Sequence, residues 1–214
     1  MLHPFTKAII AILFYLMTLP AFGQNYPFAK DFVKGEIILK DSGKKAGLIK
    51  WYPDPGEKLK FKETENAGTK KYSPEDLLGF TVDSFQFVSL FNFEMYANDN
   101  VLFSKTSKIK HSFGQLLGGS TFKVYLVMSS GYNAVSGATQ TYTNFLFEKK
   151  TDSDLQYAAF PFMMRMKDKR FEKAKDELYI FFKDHPEIID KIRACKQQDN
   201  FFEIIDLVKK VNAN

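Results

Sequence analysis

The chain has 214 residues, with 30 lysines and arginines against 25 aspartates and glutamates and a formal net charge of +5. Acids and bases are interleaved, so no block of one sign is long enough for a nucleic-acid-binding or membrane-binding tail, and the basic balance speaks first for solubility. One cysteine, Cys195, excludes an internal disulfide, so packing must hold the fold, and the length allows one or at most two domains with a real core.

The chain opens like a secretion signal. Lys7 precedes a run over residues 8–19 that is apolar apart from Thr18, and Pro20-Ala21-Phe22-Gly23 closes it with small residues suited to cleavage. Residues 1–23 are therefore expected to be a signal peptide cut after Gly23, leaving a mature chain of about 190 residues in the periplasm or at the cell surface. A membrane anchor would need about 20 apolar residues, and Pro20 ends this run too early. Lipid attachment would need a cysteine where Gln24 stands. No transmembrane segment is expected in the mature chain; peripheral contact stays open.

Residues 24–157 read as a β-rich body. Lys34-Gly35-Glu36-Ile37-Ile38-Leu39-Lys40 and Ala46-Gly47-Leu48-Ile49-Lys50-Trp51-Tyr52 form a predicted hairpin with Ser42-Gly43 near its tip. In Lys58-Leu59-Lys60-Phe61-Lys62 strict alternation puts Leu59 and Phe61 on one face and three lysines on the other. Such a row can grip phosphate or an acidic polymer; its ordinary use is to keep an exposed sheet from pairing with a neighbour.

Lys70-Lys71-Tyr72-Ser73-Pro74-Glu75-Asp76-Leu77-Leu78-Gly79-Phe80 has the lysines, serine and acids of a phosphate site. It lacks the glycines of a phosphate loop, and its order is that of a capped turn: Ser73 as N-cap, Pro74 first, acids at the positive end, and Gly79 to stop it. A one-turn helix between strands is expected. Phe85, Phe87, Phe91 and Phe93 share one side at period two and read as core. Two further strands are predicted over residues 120–128 and 141–147, with residues 129–140 between them as a long polar hairpin loop, where function would first be sought.

Residues 158–214 change period. Phe171, Ala174, Leu178, Phe181 and Phe182 make one helical stripe; Ile188, Ile189, Ile192 and Cys195 a second; Phe201, Ile204, Ile205, Val208 and Val211 a third. The fold class expected is α+β: an antiparallel sheet or open barrel-like body followed by a small C-terminal helical unit.

Chemistry is sparse. Two mature-chain histidines, His111 and His185, and one cysteine give no ligand spacing, so no metal or other cofactor is expected. His185 sits where Asp184 and Glu187 can cap a helix that Pro186 begins. Cys195 lies on an apolar stripe as a small hydrophobe, with Lys191, Arg193 and Lys196 nearby in sequence as the argument for a reactive thiol. No catalytic residue is assigned. The binding candidates are Trp51 and Tyr52, which could stack on a sugar although core packing is the ordinary place for the tryptophan; Tyr132 in the polar loop; and Arg165, Lys167, Lys169 and Arg170 in a basic segment.

Tyr72-Ser73-Pro74-Glu75-Asp76 with Gly79-Phe80, Phe145-Leu146-Phe147-Glu148-Lys149-Lys150, and Phe181-Phe182-Lys183-Asp184-His185-Pro186-Glu187-Ile188 resemble a group of uncharacterised exported bacterial proteins. The resemblance touches most of the mature chain and implies a secretion signal, a β-rich body and a helical tail, with no catalytic residues to carry over. That group often has a cysteine before the proline of the tail motif; here His185 stands there. The expectation is an exported, non-enzymatic protein that binds or supports an envelope polysaccharide or envelope protein, with no nucleic-acid partner. The alternative is a hydrolase of an envelope polymer or glycan.

Overall fold

Short alternating runs of apolar and polar residues, separated by turn formers, fold into ten strands among the described residues. The computed structural model describes residues 26–96, 106–133, 138–151, 154–161, 168–196 and 201–211. The expected signal peptide, and Arg165 and Lys167, lie outside those residues.

The strands are β1 (Val33–Leu39), β2 (Lys44–Lys50), β3 (Leu59–Lys62), β4 (Lys70–Tyr72), β5 (Leu77–Val82), β6 (Phe85–Tyr96), β7 (Thr106–Gly118), β8 (Phe122–Asn133), β9 (Ala138–Lys150) and β10 (Leu155–Pro161). They form one antiparallel sheet in the order β10-β9-β8-β7-β6-β5-β1-β2-β3-β4, so β5 leaves β4 and pairs with β1. Three helices follow: α1 (Asp168–Phe181), α2 (Pro186–Ala194) and α3 (Phe202–Lys210). The fold is α+β with a C-terminal helical unit, as the sequence leads one to expect.

The hairpin of β1 and β2 turns at Ser42, which takes the left-handed conformation at φ 67°, and the Leu39 N–H donates to the Gly43 carbonyl at 2.8 Å. Val33, Ile49 and Phe61 then line up across β1, β2 and β3 on the core face. Over that face the N-terminal segment lays Tyr26 and Phe28 among Trp51, Phe80 and Phe87, their rings meeting mostly edge to face.

The stretch around Ser73 is tighter than expected. Instead of a helical turn, a single turn joins β4 to β5: the Asp76 N–H donates to the Ser73 carbonyl at 3.0 Å, and the Asp76 carboxylate accepts from both the Ser73 N–H and its hydroxyl at 2.7 Å. These bonds hold the Asp76 carboxyl below the usual carboxylate range. Gly79 does not stop the turn. It lies inside β5, where a Cβ would come within 2.1 Å of the Phe87 carbonyl oxygen of the neighbouring strand.

The polar stretch over residues 129–140 is mostly strand rather than loop. The β8–β9 ladder runs on to Asn133 opposite Ala138, because Ser, Thr and Tyr at alternate positions suit extended backbone as well as a loop. The phenylalanine run of β6 also departs from simple alternation. Phe87, Leu90, Phe93 and Met95 are the buried positions, and the break in step falls at Asn92, a left-handed residue at φ 54°. Phe85 and Phe87 thus serve the main core, Phe93 a second cluster, and Phe91 lies half-buried beneath Lys40.

Strands β6 to β10 roll so that β10 lies back against β6. Inside the roll, Leu90, Phe93, Met95, Tyr125, Val127, Leu146 and Ala159 form the second cluster. Asn144, fully buried in β9, clamps the roll: its amide donates to the Tyr96 carbonyl and its oxygen accepts the Tyr96 N–H, both at 2.9 Å. The helices cover the outside, with Phe182 against Phe122 and Phe147, Phe171 against Phe160, and Phe201 stacked on Phe160 at 4.2 Å. Phe145, Leu146 and Phe147 are consecutive yet all fully buried, since β9 has apolar matter on both faces.

All three helical stripes face this core. At the start of α2, Pro186 takes the first turn as expected, but His185 is the N-cap and no side chain caps it. Asp184 instead pairs with Lys149 at 3.8 Å and Glu187 with His185 at 3.4 Å.

Candidate functional site

The four strands β1 to β4 carry apolar residues on their core face and lysines on the other. Register places Lys50, Lys60 and Lys71 directly opposite one another on β2, β3 and β4. Two residues along, Lys34 on β1 and Lys62 on β3 flank Leu48 on β2. Neighbouring strands are about 4.8 Å apart and alternate residues about 6.8 Å apart, so the five lysines spring from a regular grid of backbone positions. The single acid on this face of the four strands, Glu36, is engaged by Lys44 at 3.2 Å.

Among the described residues, the side chains of Lys34, Lys50, Lys60 and Lys71 have no hydrogen-bond or ion-pair partner. Lys62 is engaged: its ammonium donates to the Glu65 carbonyl at 3.5 Å and lies over the Phe32 ring at 4.9 Å. Lys70 belongs to the other face: it shares a register position with Phe61 and bonds Glu63 at 2.8 Å, which raises the lysine pKa and lowers that of the acid.

Protection of a sheet edge does not account for this grid. β2 and β3 are each hydrogen-bonded on both sides, so only β4 needs guarding, and Lys70 and Lys71 are there to do it. Like charges directly opposite in a sheet oppose folding by roughly 0.2–1 kcal/mol per pair. The Lys50–Lys60 and Lys60–Lys71 contacts therefore weaken the fold, and the core, on the opposite face, gains nothing from them.

The other binding candidates are dispersed. Trp51 is 3 % exposed, lies parallel to Phe28 at 6.4 Å and meets Phe80, Phe87 and Phe113 edge-on, so it packs the core and cannot stack on a sugar. Its indole N–H has no partner among the described residues. Tyr52, the next residue, is 44 % exposed just beyond Lys50 at the end of β2. Tyr132 lies in β8 opposite Thr139 rather than in a loop. Lys169 and Arg170 fall in the first turn of α1, on the far side of the sheet order from the grid.

One cluster escapes the sequence reading altogether. Glu148 of β9 is only 8 % exposed, and its Oε2 accepts hydrogen bonds from the Tyr125 and Tyr157 hydroxyls, both at 3.1 Å. Lys123 reaches its other oxygen at 3.6 Å. Burial, reinforced by the Glu148 charge, pushes both phenols well above their ordinary range, so they remain neutral donors. The visible signal was an acid at the end of the apolar run Phe145-Leu146-Phe147. Elsewhere, Glu75 pairs with Lys110 at 3.3 Å and His111 at 3.2 Å, and its carboxyl is lowered chiefly by the lysine.

Fold and site together define an α+β protein whose open antiparallel sheet presents a lysine-bearing face. Comparison with protein-family models, curated proteins and solved structures found no match. Among the described residues, no helix is long and apolar enough to cross a membrane.

Proposed function

We propose that this chain is an exported protein that binds an anionic component of the cell envelope without cutting it, in the periplasm or at the cell surface. The observation that carries the reading is the lysine grid on a face formed by backbone-paired strands, four of whose five ammonium groups have no side-chain partner among the described residues. A rigid sheet holds charged groups in place before a ligand arrives, which lowers the entropy cost of binding. The signal-like first 23 residues supply the compartment.

The test is co-sedimentation of the purified protein with isolated envelope fragments at low and high salt, followed by assay of the supernatant for released material. Retention at low salt that weakens as salt rises, without release, is the expected result. Release of soluble fragments would assign the protein to the hydrolases and direct attention to the buried Glu148.

A further inference from the structure

We infer that the grid of Lys34, Lys50, Lys60, Lys62 and Lys71, with Tyr52 at its border, is a docking face for an acidic polysaccharide carrying one carboxylate per sugar. This inference rests on the binding reading above and narrows it to a ligand class.

Spacing comes first. Along Lys50, Lys60 and Lys71 the charge repeats at the separation of strands, about 4.8 Å. An extended polyuronate laid across the strands carries one carboxylate per sugar and turns successive ones to opposite sides, so those of one side recur at about every second strand, as Lys50 and Lys71 do. The second row, Lys34 and Lys62 about Leu48, meets carboxylates turned to the other side of such a chain.

Side-chain chemistry comes second. All five cations are lysines. Arginine offers the planar fork that takes phosphate oxygens in pairs, whereas an ammonium is a point charge that serves a single carboxylate without that geometry. Leu48 between the lysines and the exposed Tyr52, two residues beyond Lys50, offer apolar surface to the C–H faces of sugars. A phospholipid surface would satisfy the charge but not the regular one-dimensional repeat.

The probe is a polygalacturonate oligomer, titrated calorimetrically into protein purified from expression of the full chain, with neutral dextran, inorganic polyphosphate and phosphatidylglycerol vesicles as comparisons. Two triple variants are compared. One removes the row: Lys50→Gln, Lys60→Gln, Lys71→Gln. The other removes the same charge from exposed positions of the C-terminal helical unit: Lys173→Gln, Lys183→Gln, Lys191→Gln.

The row variant is expected to lose polygalacturonate affinity by at least about tenfold, and the helical variant to stay within about twofold of wild type. The row variant should also unfold at the same or a higher temperature than wild type, since it relieves like-charge contacts; this separates loss of a site from loss of fold. Equal losses in both variants would overturn the inference, leaving only attraction to net charge. Equal or tighter row-dependent binding of polyphosphate or vesicles would overturn it in favour of those anions. If polygalacturonate fails to bind while envelope fragments still sediment the protein, the ligand class is wrong and the binding reading stands. If neither binds, both fall.

Discussion

Lys175 tests how the helical unit is held. It is 4 % exposed, and its ammonium donates to the carbonyls of Arg193 and Cys195 at 3.1 Å each, at the C-terminal end of α2. Glu172 supplies a third contact at 3.2 Å, and the Phe171 ring lies 5.5 Å away. The lysine thus satisfies two carbonyls at the negative end of a helix. Lys175→Met keeps the apolar stem and removes the charge. Each charge-assisted bond contributes about 1.5–3 kcal/mol, and both are lost, whereas the buried ammonium's own desolvation penalty is relieved. The difference points to a loss of about 3 kcal/mol. For a chain of this size that lowers the melting temperature by about 6–12 °C. The measurement is urea unfolding followed by far-UV circular dichroism, with the exposed Lys173→Met on the same helix as reference, expected within about 0.5 kcal/mol of wild type. If Lys175→Met matched that reference, the clamp would contribute nothing and the packing argument for the helical unit would be wrong.

Asn144→Ala should cost about 2–3 kcal/mol in the same assay, because it orphans the Tyr96 N–H and carbonyl inside the roll, and Asn144→Asp, which keeps only the acceptor, should not rescue it. The sole tryptophan gives an optical check: Trp51 fluorescence should be blue-shifted and resist acrylamide quenching until the protein unfolds, whereas ready quenching in the native state would put the ring at the surface. Tyr26, Tyr96, Tyr125 and Tyr157 have phenol pKa values raised in the folded state, principally by burial. The unfolded chain therefore loses phenolic protons first, so stability present below about pH 10 should decline as pH rises above it. Spectrophotometric titration should show these four ionising only with unfolding, and Tyr125→Phe with Tyr157→Phe should shrink that alkaline decline; an unchanged decline would exclude the Glu148 cluster as a contributor.

The helices were readable from the chain because a helix repeats its apolar positions on its own axis: Phe171, Ala174 and Leu178 face inward whatever they pack against. The β1–β2 hairpin and the alternation of Leu59 and Phe61 were readable for the same local reason. Other features misled. Gly79 looked like a turn stop because glycine permits left-handed backbone, yet it answers the close approach of the Phe87 backbone, which nothing nearby in sequence announces. Trp51 could be placed at a strand end but not on a side, since the Tyr26 and Phe28 rings that enclose it arrive from another segment. Glu148 was passed over among many acids because Tyr125 and Tyr157 reach it only through pairing with neighbouring strands.

By itself the sequence determined the periods: two along the strands, 3.6 along the helices, and lysines alternating with core residues on β3. Those depend on backbone geometry within a few residues. Tertiary structure alone decided that β5 returns to β1, that β6 to β10 curl around a second cluster, and that lysines from four strands share one face in register. A slip of one residue in any ladder would move that strand's lysines into the core, so the grid exists only where long-range pairing, driven by burial of Ile49 and Phe61 on the opposite face, has chosen a single register.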